Sequence, residues 1–253
     1  MSVRIATQAR RTETADNPFW ISYADLMTAL VMLFLVVMSI SMVAVASRDE
    51  ARMKEREVQI GEIFDDLEQA GREAKLPLVV DRNAQTIGFG DQAQFGLDSY
   101  YLHPQTIESL QAFVPLLLDS QRREAGGKWL KRIHIEGYTD DIGTYLYNVH
   151  LSLNRAQAVL CALMSTDVPM EDKRLLQRMI VIDGATTTSV RESREASRRV
   201  EIRLEFRTLD DTAPLAPLLN MEMGRCPLPN KPDEVIKEVP PELQKAPDVY
   251  KKS

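Results

Sequence analysis

The sequence predicts a single-pass membrane protein: one N-terminal transmembrane helix, a stalk helix, then a soluble α+β sandwich. Three observations carry this prediction. From Leu26 to Ala46 run 21 residues without charge, Gly or Pro. At ~1.5 Å per residue that run spans a hydrocarbon core of roughly 30 Å. Between residues 77 and 207, segments with helical spacing interleave with segments that alternate, the pattern of helices laid on one face of a sheet. After Arg207 the composition changes, and eight of the 13 prolines fall between Pro214 and Pro247. The resulting division is a cytoplasmic tail (1–18), a transmembrane helix (19–46), a periplasmic stalk helix (47–76), a folded domain (77–207) and a Pro-rich C-terminal tail (208–253).

The elements follow in order. The apolar run is too long for the core of a signal peptide, and no small-residue cleavage pattern ends it, so it reads as an uncleaved anchor. Arg4, Arg10 and Arg11 precede it and place the N-terminus in the cytoplasm. Ser47–Ala74 continues as a charged helix carrying Met53, Val58, Ile60, Ile63, Phe64, Leu67 and Ala70. It either pairs with a second copy or packs on its own domain. Leu78–Asp81 and Thr86–Phe89 read as strands about a turn at Arg82-Asn83. Pro104 opens a helix to about Gln121, and Gly126-Gly127 breaks it. Arg132–Glu136 alternates as a strand with Ile133 and Ile135 inward. Leu151–Met164 is a helix, and Met179–Asp183 a strand. Arg199–Phe206 alternates cleanly, with Val200, Ile202, Leu204 and Phe206 on one face.

Composition excludes several classes. Hydrophobic residues are 44% and charged residues 27%, ordinary for a folded domain, and the net charge is −6. No basic patch is interleaved with aromatics, which argues against nucleic acid. Cys161 and Cys226 are too few for a framework. They are either a disulfide in an oxidising compartment or two unrelated thiols. His103, His134 and His150 lack metal-ligand spacing. No phosphate loop and no Ser or Cys nucleophile motif is visible. Asp140 and Asp141 are adjacent and would point apart on a strand, which is wrong for a hydrolytic pair. The chain reads as a non-enzyme with no cofactor and no metal.

Two polar constellations remain. Asp25 sits at the start of the apolar run, about one turn beyond Trp20 and Tyr23, aromatics suited to a membrane interface. An acid so near hydrocarbon costs several kcal/mol as a charge, which marks it as functional, although a single acid also often marks where a membrane ends. Ser22, Asp25 and Thr28 share a small polar face suited to contact with another helix. The second constellation is Glu136-Gly137-Tyr138-Thr139-Asp140-Asp141-Ile142-Gly143, followed by Asn148, Ser152 and Arg155. A strand end and loop can place Thr139 and Asp140 at a surface pocket, and the next helix can return Arg155 across it. Ser152 near the helix start can cap it. An Asp beside an Arg can grip a zwitterion, or can be an internal salt bridge.

Trp20-Ile21-Ser22-Tyr23-Ala24-Asp25-Leu26-Met27-Thr28 before an apolar helix resembles the signature of the flagellar stator B (MotB-like) family. That resemblance implies that Asp25 carries the driving ion, H⁺ or Na⁺, with Ser22, Tyr23 and Thr28 supporting it. Gly137-Tyr138-Thr139-Asp140, Gly143, Asn148, Leu151-Ser152 and Arg155-Ala156, with Ser197-Arg198-Arg199-Val200-Glu201-Ile202 further on, are similar to the OmpA-like peptidoglycan-binding family. That likeness spans roughly Ile87 to Arg207. It implies that Asp140 and Arg155 hold the amino and carboxylate ends of diaminopimelate in the stem peptide, with Thr139 and Asn148 around them. Ser197 stands where Asn is usual, so Arg198 and Arg199 carry over only weakly. The short helical link between the two anchors, and Asn17-Pro18-Phe19-Trp20, resemble the ZorB branch of the Zorya anti-phage system. This implies an ion-driven motor subunit in antiviral defence, with a homodimer and a multi-spanning MotA/ZorA-like partner. A flagellar stator subunit and a passive wall-to-membrane tether are the alternatives.

Overall fold

The computed structural model describes residues 18–186, 191–211, 223, 224 and 226. The arginines before the apolar run and most of the Pro-rich segment lie outside the described residues. The chain divides into two units, Met1–Arg52 and Met53–Ser253.

The uncharged run folds as a sequence without Gly or Pro should. Helix α1 spans Pro18–Glu73, with Pro18 at the first position, where a missing N–H costs nothing. In the first unit every described large apolar side chain from Trp20 to Val45 is exposed; Leu33 is 66% and Phe34 64% accessible. A helix apolar on all sides is covered by lipid or by other membrane helices. Two of its hydroxyls are satisfied within the helix: Thr28 donates to Ala24 O at 2.7 Å and Ser39 to Leu35 O at 2.7 Å.

The second unit begins inside α1. Of the two readings of the charged stretch, the structure shows packing on its own domain for its last turns. Ile60, Ile63, Phe64 and Leu67 are buried in the domain core, and the Phe64 ring meets Phe206 edge-on at 5.7 Å. Met53 and Val58 stay exposed.

Strands β1 (Val79–Asp81), β2 (Thr86–Gly88), β3 (Leu130–Tyr138), β4 (Ile180–Thr186) and β5 (Val200–Phe206) form one sheet. Their order is β1-β2-β5-β3-β4. All neighbours are antiparallel except β3 and β4, which run parallel. Helices α2 (Pro104–Arg122), α3 (Glu124–Trp129), α4 (Tyr145–Met164), α5 (Met170–Met179) and α6 (Arg194–Ser197) complete the domain. Ile87, Ile133, Ile135, Val200, Ile202, Leu204 and Phe206 face inward, sharing one core with Leu110, Phe113, Val114 and Leu117 of α2 and Ala156, Val159 and Ala162 of α4. The α+β sandwich expected from the alternation is therefore present.

Three local expectations need correction, and two points left open are filled in. Gly126-Gly127 does not break the chain but lies inside α3. A Cβ at Gly126 would lie 1.9 Å from Ser120 O, so the glycine permits a close backbone approach. Helix α4 begins six residues before Leu151, at Tyr145, because Thr144 caps it by accepting from Tyr147 N. Ser152 is consequently mid-helix and donates to Val149 O instead of capping. Helix α5 is half charged residues, with Leu176 and Met179 buried, too sparse an apolar pattern to be read from sequence. Cys161 and Cys226, left open above, are bonded, with their Cα atoms 5.6 Å apart.

Candidate functional site

At the membrane end, Asp25 is exposed on α1. Trp20 and Tyr23 precede it and meet edge-on, their centroids 6.4 Å apart. Thr28 lies on the same helical face as Asp25, but its hydroxyl is committed to Ala24 O. Helical spacing alone brings Ser22, Asp25 and Thr28 together.

At the other end, β3 delivers Tyr138, Thr139 and Asp140 to the start of a loop, and α4 returns Asn148 and Arg155 over it. Gly137 makes this return possible, since a Cβ there would lie 2.0 Å from Ser152 O. The sequence placed Thr139 and Asp140 at a surface pocket; in the structure they are only 1% and 4% exposed. The loop closes over them. Asp140 Oδ1 accepts from Ile142 N at 3.2 Å, and Asn148 Nδ2 donates to Ile142 O at 3.1 Å.

Arg155 is completely buried. Its guanidinium donates to Tyr138 O at 2.8 Å, Ser99 O at 2.9 Å and Gly96 O at 3.1 Å, and lies 5.1 Å from the Phe95 ring centroid. Burial pulls its pKa down to about 10, against the opposing charge of Asp140. The side chain therefore first ties the loop 96–99 to the end of β3. Any ligand contact must use its remaining N–H groups.

The cation directly on Asp140 is Arg198. Its Nη1 donates to Asp140 Oδ2 at 2.9 Å, its Nε to Phe95 O at 3.1 Å and its Nη2 to Glu195 Oε1 at 3.2 Å. Next to it in the chain, Arg199 faces elsewhere. It pairs with Glu201 at 2.6 Å and stacks 4.2 Å from the Tyr138 ring centroid. Ser197, fully buried, accepts from Arg191 N at 2.9 Å and donates to Ser193 O at 2.8 Å, fixing the backbone that presents Arg198. Asp140 and Asp141 lie in the loop after β3 and not on a strand; Asp141 is exposed and paired with Arg194 at 2.8 Å, while Asp140 is buried. That pairing holds the Asp141 carboxyl below its ordinary value.

Two buried atoms beside Asp140 have no hydrogen-bond partner: Thr139 Oγ1 and Asn148 Oδ1. Orphaned polar atoms at 1% and 3% residue exposure are unfavourable in a folded interior and leave acceptors that a bound water or ligand could satisfy. Sequence reasoning missed the loop 95–99, which supplies three carbonyls to Arg155 and Arg198, because backbone acceptors leave no trace in side-chain identity. It also missed Tyr147, buried beside Asp98, whose burial and carboxylate neighbour push its hydroxyl up to about 12. Arg194 could have been found from its helical spacing to Arg198, opposite two adjacent acids. Among the described residues, no group of three or more His, Cys, Asp or Glu side chains is placed to hold a metal.

The OmpA family model matches residues 94–203. A model described as the membrane MotB of the proton-channel complex MotA/MotB matches residues 5–53. The chain is similar to the Zorya protein ZorB of Escherichia coli O139:H28 (strain E24377A / ETEC), 38% identical over 235 residues, covering 87% of this chain and 96% of that protein. Solved structures with similarity include a MotB-like protein from Desulfovibrio vulgaris (18% identity, 61% of this chain and 98% of that one, TM-score 0.42). The periplasmic domain of Helicobacter pylori MotB is another (17% identity, 53% and 84%, TM-score 0.39). An apolar anchor helix that opens with an acid, ahead of an OmpA-like domain, defines a MotB-like stator subunit. Within that class, the extent and identity of the Zorya match decide the branch: the chain belongs to the ZorB family.

Proposed function

We propose that this chain is the wall-anchored subunit of an ion-driven membrane motor acting in anti-phage defence. The observation that carries the reading is one acid, Asp25, at the head of an uncharged run, Leu26–Ala46, that is exposed throughout, on the same chain as a buried Asp140 beside orphaned polar atoms. Asp25 takes up H⁺ (or Na⁺) from outside and releases it inward. Neutralising the acid changes how its helix packs against a neighbour. One charge crossing 100 mV supplies roughly 2.3 kcal/mol, so a few ions can drive a helix bundle through a step. A single span cannot enclose a path, so a multi-spanning subunit of the MotA/ZorA kind completes it. Two copies of this chain would bring two Asp25 side chains to one complex. At the other end Asp140, Arg155, Thr139 and Asn148 hold diaminopimelate of the peptidoglycan stem peptide.

The orientation follows from two independent features. Arg4, Arg10 and Arg11 favour a cytoplasmic N-terminus. The Cys161–Cys226 disulfide suits an oxidising periplasm for the domain after the inner-membrane span.

The test is Asp25→Asn expressed with the neighbouring multi-spanning subunit, scoring phage survival and swimming at matched protein levels. Loss of phage protection is expected. Loss of swimming instead would identify a flagellar stator. No effect in either assay, with Asp140→Ala defective, would leave a passive tether.

A further inference from the structure

We propose that the sheet face away from the core carries a second binding site, apart from Asp140, that takes a neutral pyranose ring of a saccharide. Alternation along the strands puts Val79 and Asp81 of β1, Thr86 and Gly88 of β2, and Glu201 of β5 on this face. A cavity of about 280 Å³ opens over them and is bounded further by Gln94, Arg191 and Arg199. None of Asp140, Arg155 and Arg198 lines it. Gly88 makes the space. Its backbone is that of an ordinary strand, and a Cβ there would meet only Val79 O, at 3.9 Å.

The polar atoms left over at this cavity are oxygens. Arg191 and Arg199 both donate to Glu201 Oε1, at 2.9 and 2.6 Å. Gln94 Nε2 is spent on Asp91 at 2.9 Å, and Asp81 Oδ1 on the backbone N–H groups of Asn83 and Ala84. Among the described residues, Glu201 Oε2, Gln94 Oε1, Asp81 Oδ2 and the Thr86 hydroxyl keep no protein hydrogen bond. A ligand for this cavity must therefore bring donors. An ammonium brings them with a charge, and a cation entering here meets two guanidiniums that already answer Glu201. A neutral polyol brings hydroxyl donors without that repulsion. Val79, 60% exposed, beside the bare Gly88 offers an apolar surface to the C–H face of a ring. The volume lies near the lower end for ligand pockets, roughly 300 Å³, and holds one ring rather than a chain. The ligand class is one pyranose unit, from an N-acetylated glycan or from a plain glucan.

The experiment is a ligand-observed NMR titration of the full chain in a detergent without a sugar headgroup. The probes are N,N′,N″-triacetylchitotriose and cellotriose, each also challenged with cadaverine. The native chain should bind one of them saturably, and cadaverine should not displace it. Preference for chitotriose assigns the site to an N-acetylated glycan such as the wall strand, and preference for cellotriose to a plain glucan; both support the proposal. Gly88→Val, which fills the cavity from a strand position, should weaken binding by about tenfold or more while melting like the native chain. Should it melt lower, Thr86→Val, which removes one hydroxyl, takes its place, with an expected loss of about threefold or more. Asp140→Ala should bind the sugar as the native chain does. Absence of saturable binding by the native chain, displacement by cadaverine, or native affinity in the cavity variant overturns the proposal. Loss of the sugar in Asp140→Ala overturns it too, because the ring would then sit at the loop after β3.

Discussion

Arg155 shows how a side chain singled out for its charge can have backbone contacts that the sequence does not display. Sequence placed it opposite Asp140 as half of a ligand clamp. The structure commits it to three backbone carbonyls, tying the loop 96–99 to the end of β3. Arg155→Ala should therefore lower the unfolding free energy by about 3 kcal/mol, since buried carbonyls lose a charged donor. A denaturant melt would detect this. A change below about 0.5 kcal/mol would mean that water takes over the carbonyls and that the residue serves the ligand alone. Asp140, Thr139 and Asn148 could be singled out because their polar side chains are visible in the sequence. The loop 95–99 was not, because it contributes through backbone oxygen atoms, which every residue has.

Among the elements, the last turns of α1 carry the clearest energetic consequence. Phe64 is 1% exposed and Val58 55%, on one helix and six residues apart. Phe64→Ala should destabilise the domain by about 3–5 kcal/mol, while Val58→Ala should change it by less than about 0.5 kcal/mol; thermal melts of the two compare them directly. The sheet carries a second consequence on the face away from the core. His134 of β3 lies 2.6 Å from Asp183 of β4 and 2.9 Å from Glu205 of β5. Burial works against ionising Glu205, but hydrogen bonds from His134 and Lys131 outweigh it and hold its pKa below the ordinary 4.5. A carboxyl depressed on folding stabilises the domain above its unfolded pKa and loses that contribution as pH falls through the folded one. The melting temperature should thus drop on acidification below about pH 4.5, and Glu205→Gln should remove part of that drop. An unchanged acid limb in Glu205→Gln would show that other carboxylates set it.

At the scale of the whole chain, the Cys161–Cys226 bond closes a loop with a sequence separation of 65 that contains α5, β4, α6 and β5. In the chain-entropy account such a closure is worth up to about 4 kcal/mol. Paired Cys161→Ser and Cys226→Ser substitutions should lower the melting temperature, and reductant should lower that of the native chain to match. A native melt insensitive to reductant would show that the closure contributes little.

What sequence alone determined here is whatever repeats along the chain or resides in side-chain chemistry. The uncharged run fixed the anchor helix, because lipid demands about 20 apolar residues in succession. Strict alternation fixed β5, because successive side chains on a strand take opposite faces. Asp25 and Asp140 stood out because a carboxylate is costly where each one sits. Tertiary structure decided what depends on distant segments meeting. It decided that the last turns of α1 belong to the core, that the two cysteines bond, and that Asp140 is answered by Arg198, 58 residues away, while Arg155 turns to backbone. Periodicity is local and survives in the sequence; the partner of a buried charge is set by which backbones pack closely enough to bring it within reach.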